Sequence, residues 1–279
     1  MSFNQGDFTK DRLSTVQNWP GMLGSIATTL LYSYRVWQRN RDAFLYQWTF
    51  EVGGFIVEPF VMLAAMGFGL GGYVGDIQGI SYASFVAPGI LVAYAMFHSS
   101  FEATYGAYMR METYRVFDGI IVTPVNIEEL VIGEAAWAAT RSLLAGVSVL
   151  TVALIFGLLH SPLALLTIPV AFLTGMVFAS LALMLVAVAP SIGTLNNFFT
   201  ILITPMFFFS GIFFPLDRFP DLLRQIAWLL PLTHSAHVSR GLTLGHLDWS
   251  ILFSGLILIL YVAILLPIAV KLMRRRLFK

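Results

Sequence analysis

The chain has no cysteine, and only 11% of its 279 residues are charged. The first absence removes disulfides, thiolate nucleophiles and cysteine-held metals. The second weighs more, because an ordinary soluble domain carries about 25% charged residues. With 58% hydrophobic and 14% aromatic residues, the chain cannot cover itself with polar surface. A soluble enzyme is excluded, and a polytopic membrane protein is the class that fits. Net charge is +1, from 16 basic and 15 acidic residues. There is no basic field to hold nucleic acid, and the information lies in where the charges sit.

Other absences narrow the chemistry. The lysines Lys10, Lys271 and Lys279 follow Thr9, Val270 and Phe278, never a glycine. A phosphate-binding loop needs Gly-Lys, so this chain does not hydrolyse ATP by that route. His234 and His237 stand three apart without a third ligand to complete a metal site. No Gly-x-Ser-x-Gly elbow occurs. The first 20 residues are polar and mixed in charge, without the apolar core of a signal peptide. The reading is therefore no catalytic residues, no metal, and no cofactor bound by this chain.

What is present is apolar length. A helix crosses about 30 Å of hydrocarbon with about 20 residues. Val52 to Gly75 is one such stretch, interrupted by Glu58, and Gly79 to Phe101 is a second. From Ser142 to Leu216 there is no Lys, Arg, Asp or Glu. Breaks at His160-Ser161-Pro162 and Pro190-Ser191-Ile192-Gly193 divide this region. Spans three to five are then expected near Ala135–Leu159, Leu163–Val188 and Leu195–Phe214, and span six near Trp249–Val270. The fold class is all-α with six transmembrane helices. The expected organisation is an N-terminal segment 1–48, a membrane domain 49–271 and a basic tail 272–279.

Twelve of the 16 basic residues fall on one side of these spans. They are Lys10, Arg12, Arg35, Arg39, Arg41, Arg110, Arg115, Lys271, Arg274, Arg275, Arg276 and Lys279. Arg218, Arg224 and Arg240 fall on the other, and Arg141 lies within span three. The positive-inside rule makes the first side cytoplasmic, with both termini on it.

Three segments lie outside the spans. From Met22 to Gln47, arginines alternate with Tyr32, Tyr34, Trp37 and Tyr46, the pattern of an interfacial helix. It reads either as an anchor or as a lever onto span one. In the loop after span two, Met111, Tyr114, Phe117, Ile120 and Ile121 recur at helical spacing, predicting a short amphipathic helix that ends near Thr123-Pro124. Between spans five and six, Leu222, Leu223, Ile226, Ala227 and Leu230 share one face of a helix bounded by Pro220 and Pro231. The charges at membrane depth, Glu58, Glu102, Glu134 and Arg141, read either as structural ion pairs or as groups on a transport path. Arg141 has three candidate partners: Glu134 on its own helix, or Glu102 and Glu58 on neighbours.

Several stretches together resemble the permease subunits of ABC-2-type exporters. They are Glu58-Pro59 with Gly67-Phe68-Gly69-Leu70-Gly71, and the run from Ile80 to Ile90. Arg110-Met111-Glu112 and Gly133 to Arg141 follow. Then come Ser210-Gly211-Ile212-Phe213-Phe214-Pro215, Pro231-Leu232-Thr233-His234-Ser235 and Arg274-Arg275-Arg276-Leu277. Within that family the likeness extends to the Nod-factor (lipochitooligosaccharide) exporter permeases, the NodJ subfamily.

The resemblance implies an N-terminal interfacial helix, a cytoplasmic coupling helix after span two and short outer helices between spans five and six. It implies a homodimer bound to a separate ATPase subunit that holds ATP and Mg, in the bacterial inner membrane. By the same analogy Arg110, Glu112, Arg115 and Asp118 belong to the coupling helix. Phe207, Phe208 and Phe209 are candidate path-wall residues, and Asp221, Arg224 and His234 mark an outer gate. The cargo expected from the apolar and aromatic path is an amphipathic, lipid-linked or carbohydrate-type molecule. An ion-coupled secondary transporter and an integral membrane transferase are the alternative readings.

Overall fold

The computed structural model describes residues 22–77 and 79–278. Lys10, Arg12 and Lys279 lie outside the described residues. Six helices among the described residues are long and apolar enough to cross a membrane: Gly53–Val74, Tyr82–Thr113, Ile127–Ile155, Pro162–Val188, Ile192–Phe209 and Trp249–Leu277. They are spans one to six below. The breaks fall at the two proline-marked turns, because proline cannot donate to the helical ladder. Among the described residues the sole β feature is an isolated bridge between Ile77 and Ile80.

Helix ends differ from expectation where charged sequence continues a helix. Met22–Ala64 is one unbroken helix of 43 residues, about 65 Å long at 1.5 Å per residue. The expected boundary at 48/49 falls inside it, since no Gly or Pro occurs between Ile26 and Val52 to interrupt the hydrogen bonding. The interfacial helix and span one are thus one rod, about twice the hydrocarbon thickness. Span two likewise runs 32 residues to Thr113, about 48 Å, so its last turns extend past the lipid. Span six continues to Leu277, through the expected boundary at 271/272. Span three opens on a capping box: the Asn126 amide donates to Glu129 Oε2 at 2.8 Å.

Spans two, three and four form the core, and their contacts rest on small residues. Span two is the most enclosed, with 83% of its most apolar window buried, against 18% for span one and 22% for span five. Between spans three and four, a side chain at Gly146 would place its Cβ 2.7 Å from Ala171 Cβ, and one at Gly175 would lie 2.8 Å from Ala139 Cα. Ser142 Oγ donates across this seam to the Ala171 carbonyl at 2.9 Å. Close backbones and a short interhelical hydrogen bond replace the hydrophobic drive that lipid cannot supply.

Spans one, two and five carry π-helical turns, at Ala65–Leu70, at Glu102–Gly106 and Met109–Thr113, and at Phe199–Ile203. Spans three and six and the Thr167–Val188 helix of span four are uninterrupted α-helix. Such turns insert an extra residue and gather at functional sites. Here they mark the three spans that share one groove.

At the end opposite most of the basic residues, termed the outer end from the positive-inside expectation, a short helix, Asp221–Ala227, precedes a second, Pro231–Leu244. Pro231 both stops the first and starts the second, where its missing amide costs nothing. The second outer helix is polar in sequence yet nearly all buried, packed against spans two, four and six. Its 14 residues reach only about 21 Å, so it inserts among the spans without crossing. Gly245, in a left-handed conformation with φ +78°, ends it.

Candidate functional site

At the end that gathers the chain's basic residues, three helices are stitched by alternating charges. Glu134, 2% exposed, sits at the centre. Its Oε1 accepts from Arg39 Nη2 at 2.9 Å and Asn40 Nδ2 at 3.0 Å. Its Oε2 accepts from Arg110 Nη2 at 2.5 Å and Nε at 3.1 Å. Arg110 Nη1 then stands 2.8 Å from Glu102 Oε1. Arg141 Nε lies 3.6 Å from Glu102 Oε2, and its Nη2 pairs with Glu51. The order Arg39, Glu134, Arg110, Glu102, Arg141, Glu51 begins and ends on the N-terminal rod and passes through spans two and three. Burial pulls the Arg39 guanidinium below the usual arginine range, against the opposing attraction of Glu134. Arg141 also lies over the rings of Phe44 and Phe55, 5.1 and 5.5 Å from their centroids.

Two glycines make this possible. A Cβ at Gly106 would stand 2.7 Å from Glu102 Oε1 and 3.1 Å from Arg110 Nη1, in the space where those groups meet. A Cβ at Gly133 would meet Val36 Cβ at 2.6 Å, so its absence lets the rod press onto span three just before Glu134.

The structure corrects several expectations. Arg110 and Glu112 do not sit on the loop helix; they lie in the last π turn of span two, because the helix simply continues into water. Glu112 instead pairs with Arg276 Nη2 at 2.6 Å. Arg276 Nη1 donates to the Ala189 carbonyl at 2.6 Å. Arg274 pairs with Glu128. The ends of spans two, four and six and the start of span three therefore meet at one end. Arg141 does not pair with Glu134 or with Glu58; its partners are Glu102 and Glu51. Sequence reasoning missed Glu51, whose signal was a lone acid where an arginine-rich segment turns apolar.

The loop helix itself is Val116–Ile121. Arg115 precedes it in a left-handed conformation, φ 53°, and lies 3.5 Å from Asp118 across an exposed pair. Phe117 anchors the helix in the core at 1% exposure, while Tyr114 and Val122 stand 67% and 81% exposed on either side.

Above the ladder, spans one, two and five enclose a groove. One cavity of about 410 Å³ is lined by Glu58, Met62, Tyr94, Phe97, His98, Phe101 and Phe207. A second, of about 700 Å³, continues from Glu58, Met62 and Tyr94 toward Gly53 and Gly54. Phe207 packs edge-on to Phe97 with ring centres 5.3 Å apart, and Phe101 stacks on Phe199 at 4.4 Å. Of the three phenylalanines expected on a path wall, only Phe207 lines these cavities. Phe208 turns toward Phe213, and Phe209 toward Phe219 near the outer end.

The outer residues do not form one unit. Asp221 and Arg224 make an exposed pair at 2.7 Å on the first outer helix. His234 is buried on the second. Its Nε2 lies 2.9 Å from the Trp228 carbonyl, so that nitrogen carries the proton and Nδ1 accepts from Ser254 at 3.3 Å. His237 Nδ1 lies 3.2 Å from the same hydroxyl and donates to it. Burial lowers the pKa of both histidines, and the nearby Arg240 lowers that of His237 further. Arg240 donates to the carbonyls of Phe85 at 3.2 Å and Gly211 at 3.0 Å, with its guanidinium 3.9 Å from the Phe85 ring centre.

Six spans, a helical loop bearing exposed apolar residues, and inserted outer helices describe a transport permease. Residues 29–244 match the ABC-2 type transporter family, and the chain belongs to it. It is a multi-pass integral membrane protein and a permease subunit of an ABC-type exporter. It is similar to Nodulation protein J of Rhizobium leguminosarum bv. viciae, 36% identical over 244 residues, covering 88% of this chain and 94% of that one. Nodulation protein J of Rhizobium meliloti is 39% identical, covering 75% and 80%. A more distant relative, inner membrane transport permease YadH of Escherichia coli, is 24% identical over 86% of this chain and 93% of its own.

Proposed function

We propose that the charge ladder couples a partner ATPase to the groove. On this reading the basic end is cytoplasmic in a bacterial inner membrane. The ATPase bears on the loop helix, and the permease works as a homodimer that moves an amphipathic, lipid-linked or carbohydrate-type cargo outward. The observation that carries it is continuity. Span two lines the groove at Tyr94, runs through Glu102 and Arg110 into the ladder, and ends just before the loop helix. A push on the loop helix reaches the groove through one element, and the ladder makes span three and the rod follow. Tyr114 and Val122, apolar side chains held out beside that helix, suit a surface that another protein covers. The inserted second outer helix, packed against spans two, four and six, closes the opposite end.

The test is charge reversal on the exposed face of the loop helix. Asp118→Arg is expected to abolish co-purification of the ATPase and ATP-driven export, while membrane levels and thermal stability stay as in the parent. Arg115→Glu is expected to act likewise. Normal export in both variants would remove the coupling assignment.

A further inference from the structure

We infer that the groove at Glu58 is a head-group subsite that accepts amphipaths whose polar part donates hydrogen bonds and bears no negative charge. This rests on reading the chain as an exporter permease, and adds the chemistry that the cargo must show. Glu58 lies in the apolar stretch of span one and is exposed on its side. A carboxylate cannot face hydrocarbon at low cost. Every other acidic residue at this depth belongs to the ladder, whereas Glu58 makes no ion pair among the described residues. Its polar neighbour in the lining of both cavities is Tyr94. An ionised carboxylate accepts only, at about four lone-pair positions, so Glu58 offers the groove acceptors and no donor.

Among the described residues, no lysine or arginine lines the groove to take an anionic ligand. Arg141 is committed to Glu51 and Glu102, and the His98 ring is stacked on Phe55 at 4.3 Å. A phosphate or carboxylate head would therefore meet Glu58 uncompensated. Hydroxyl, amide N–H or ammonium groups would find acceptors. The rest of the lining, Met62, Phe97, Phe101 and Phe207, takes an apolar body or the face of a ring. The two joined cavities, about 410 and 700 Å³, are of ordinary ligand size. The second is open beside Gly53 and Gly54, where a Cβ would meet nothing within 4 Å.

The experiment uses the full chain in nanodiscs of phosphatidylcholine, whose head group offers no N–H or O–H donor. Binding of three radiolabelled probes with the same tail is measured: dodecyl maltoside, dodecylamine and dodecyl phosphate. The expected result is saturable binding of the first two and none of the third. Glu58→Gln should weaken both by about tenfold or more, the loss of hydrogen bonds to a charged acceptor. Tyr94→Phe should change affinity less and keep the order of probes. Dodecyl phosphate binding as well as the maltoside in the parent protein would overturn the subsite, and so would equal maltoside binding in parent and Glu58→Gln. Because these measurements need no ATPase, they stand apart from the coupling test. A groove with this selectivity in a chain that recruits no ATPase would retain the subsite and remove the exporter mechanism.

Discussion

At the inner end Glu134 is buried and accepts four hydrogen bonds from Arg39, Asn40 and Arg110. At the outer end Arg240 lies within a partly buried pocket and meets no carboxylate among the described residues. It is held by backbone carbonyls and the Phe85 ring, and burial lowers its pKa to about 10. Its neighbours His234, His237 and Ser254 form a neutral chain. The inner end is thus cross-braced by charge between three helices, so that displacing one drags the others. The outer end is fastened by short-range contacts that break one at a time. The first arrangement suits transmission of force; the second suits a closure that must open.

The comparison breaks first at Glu134. Glu134→Ala leaves Arg39 without its carboxylate and Arg110 with Glu102 alone, and removing one partner of a buried pair costs about 3–5 kcal/mol. The expectation is little or no folded protein, read as yield and thermal unfolding in detergent. Arg240→Met removes charged hydrogen bonds to the carbonyls of Phe85, Gly211 and Ile212, about 2–3 kcal/mol, and keeps the apolar stem. A larger loss from Arg240→Met than from Glu134→Ala would reverse the assignment of the rigid end.

Acid probes the outer end through its paired histidines. A histidine whose folded pKa lies below its unfolded value contributes its full share of stability above the unfolded pKa, about 6.5. It loses that share as pH falls through the folded pKa, because the unfolded chain binds the extra proton. His234 and His237 are of this kind. They face Trp228, Ser254, Arg240 and Asp248; the Trp228 carbonyl favours the proton on His234 and Asp248 favours it on His237, and burial outweighs both. The unfolding temperature is expected to fall between pH 7 and pH 5, and the fall to shrink in a His234→Gln, His237→Gln double variant. The smallest effect is at the exposed Asp221–Arg224 pair. Asp221→Ala should change stability by no more than about 0.5 kcal/mol, in the same thermal assay.

Much of this architecture is written in the chain as composition. The spans, their breaks at Pro162 and Pro190, and the gathering of arginines at one end follow from apolar length and charge position. What hydropathy does not register is helix that continues after the apolar run stops. Arg110 and Glu112 read as loop because they are polar, although nothing between Phe101 and Thr113 breaks a helix. The pairing was hidden for another reason: Arg141 reaches Glu51 and Arg39 reaches Glu134 across about ninety residues of sequence. The second outer helix was implied by the family resemblance and not by residue pattern, because its polarity argues for solvent. Inside the bundle its Ser235 accepts from Thr174 of span four and donates to the Pro231 carbonyl, and its Thr243 donates to the Ser239 carbonyl.

The ladder also has an electrical consequence. Three arginines and three glutamates sum to zero, and moving one elementary charge through 100 mV of membrane potential takes about 2.3 kcal/mol. A step that shifts Arg39, Glu134, Arg110, Glu102, Arg141 and Glu51 as one body does no work against the membrane voltage. The brace can travel in an energised membrane without becoming a voltage sensor, which leaves Glu58 as the charge through which voltage would act on the groove.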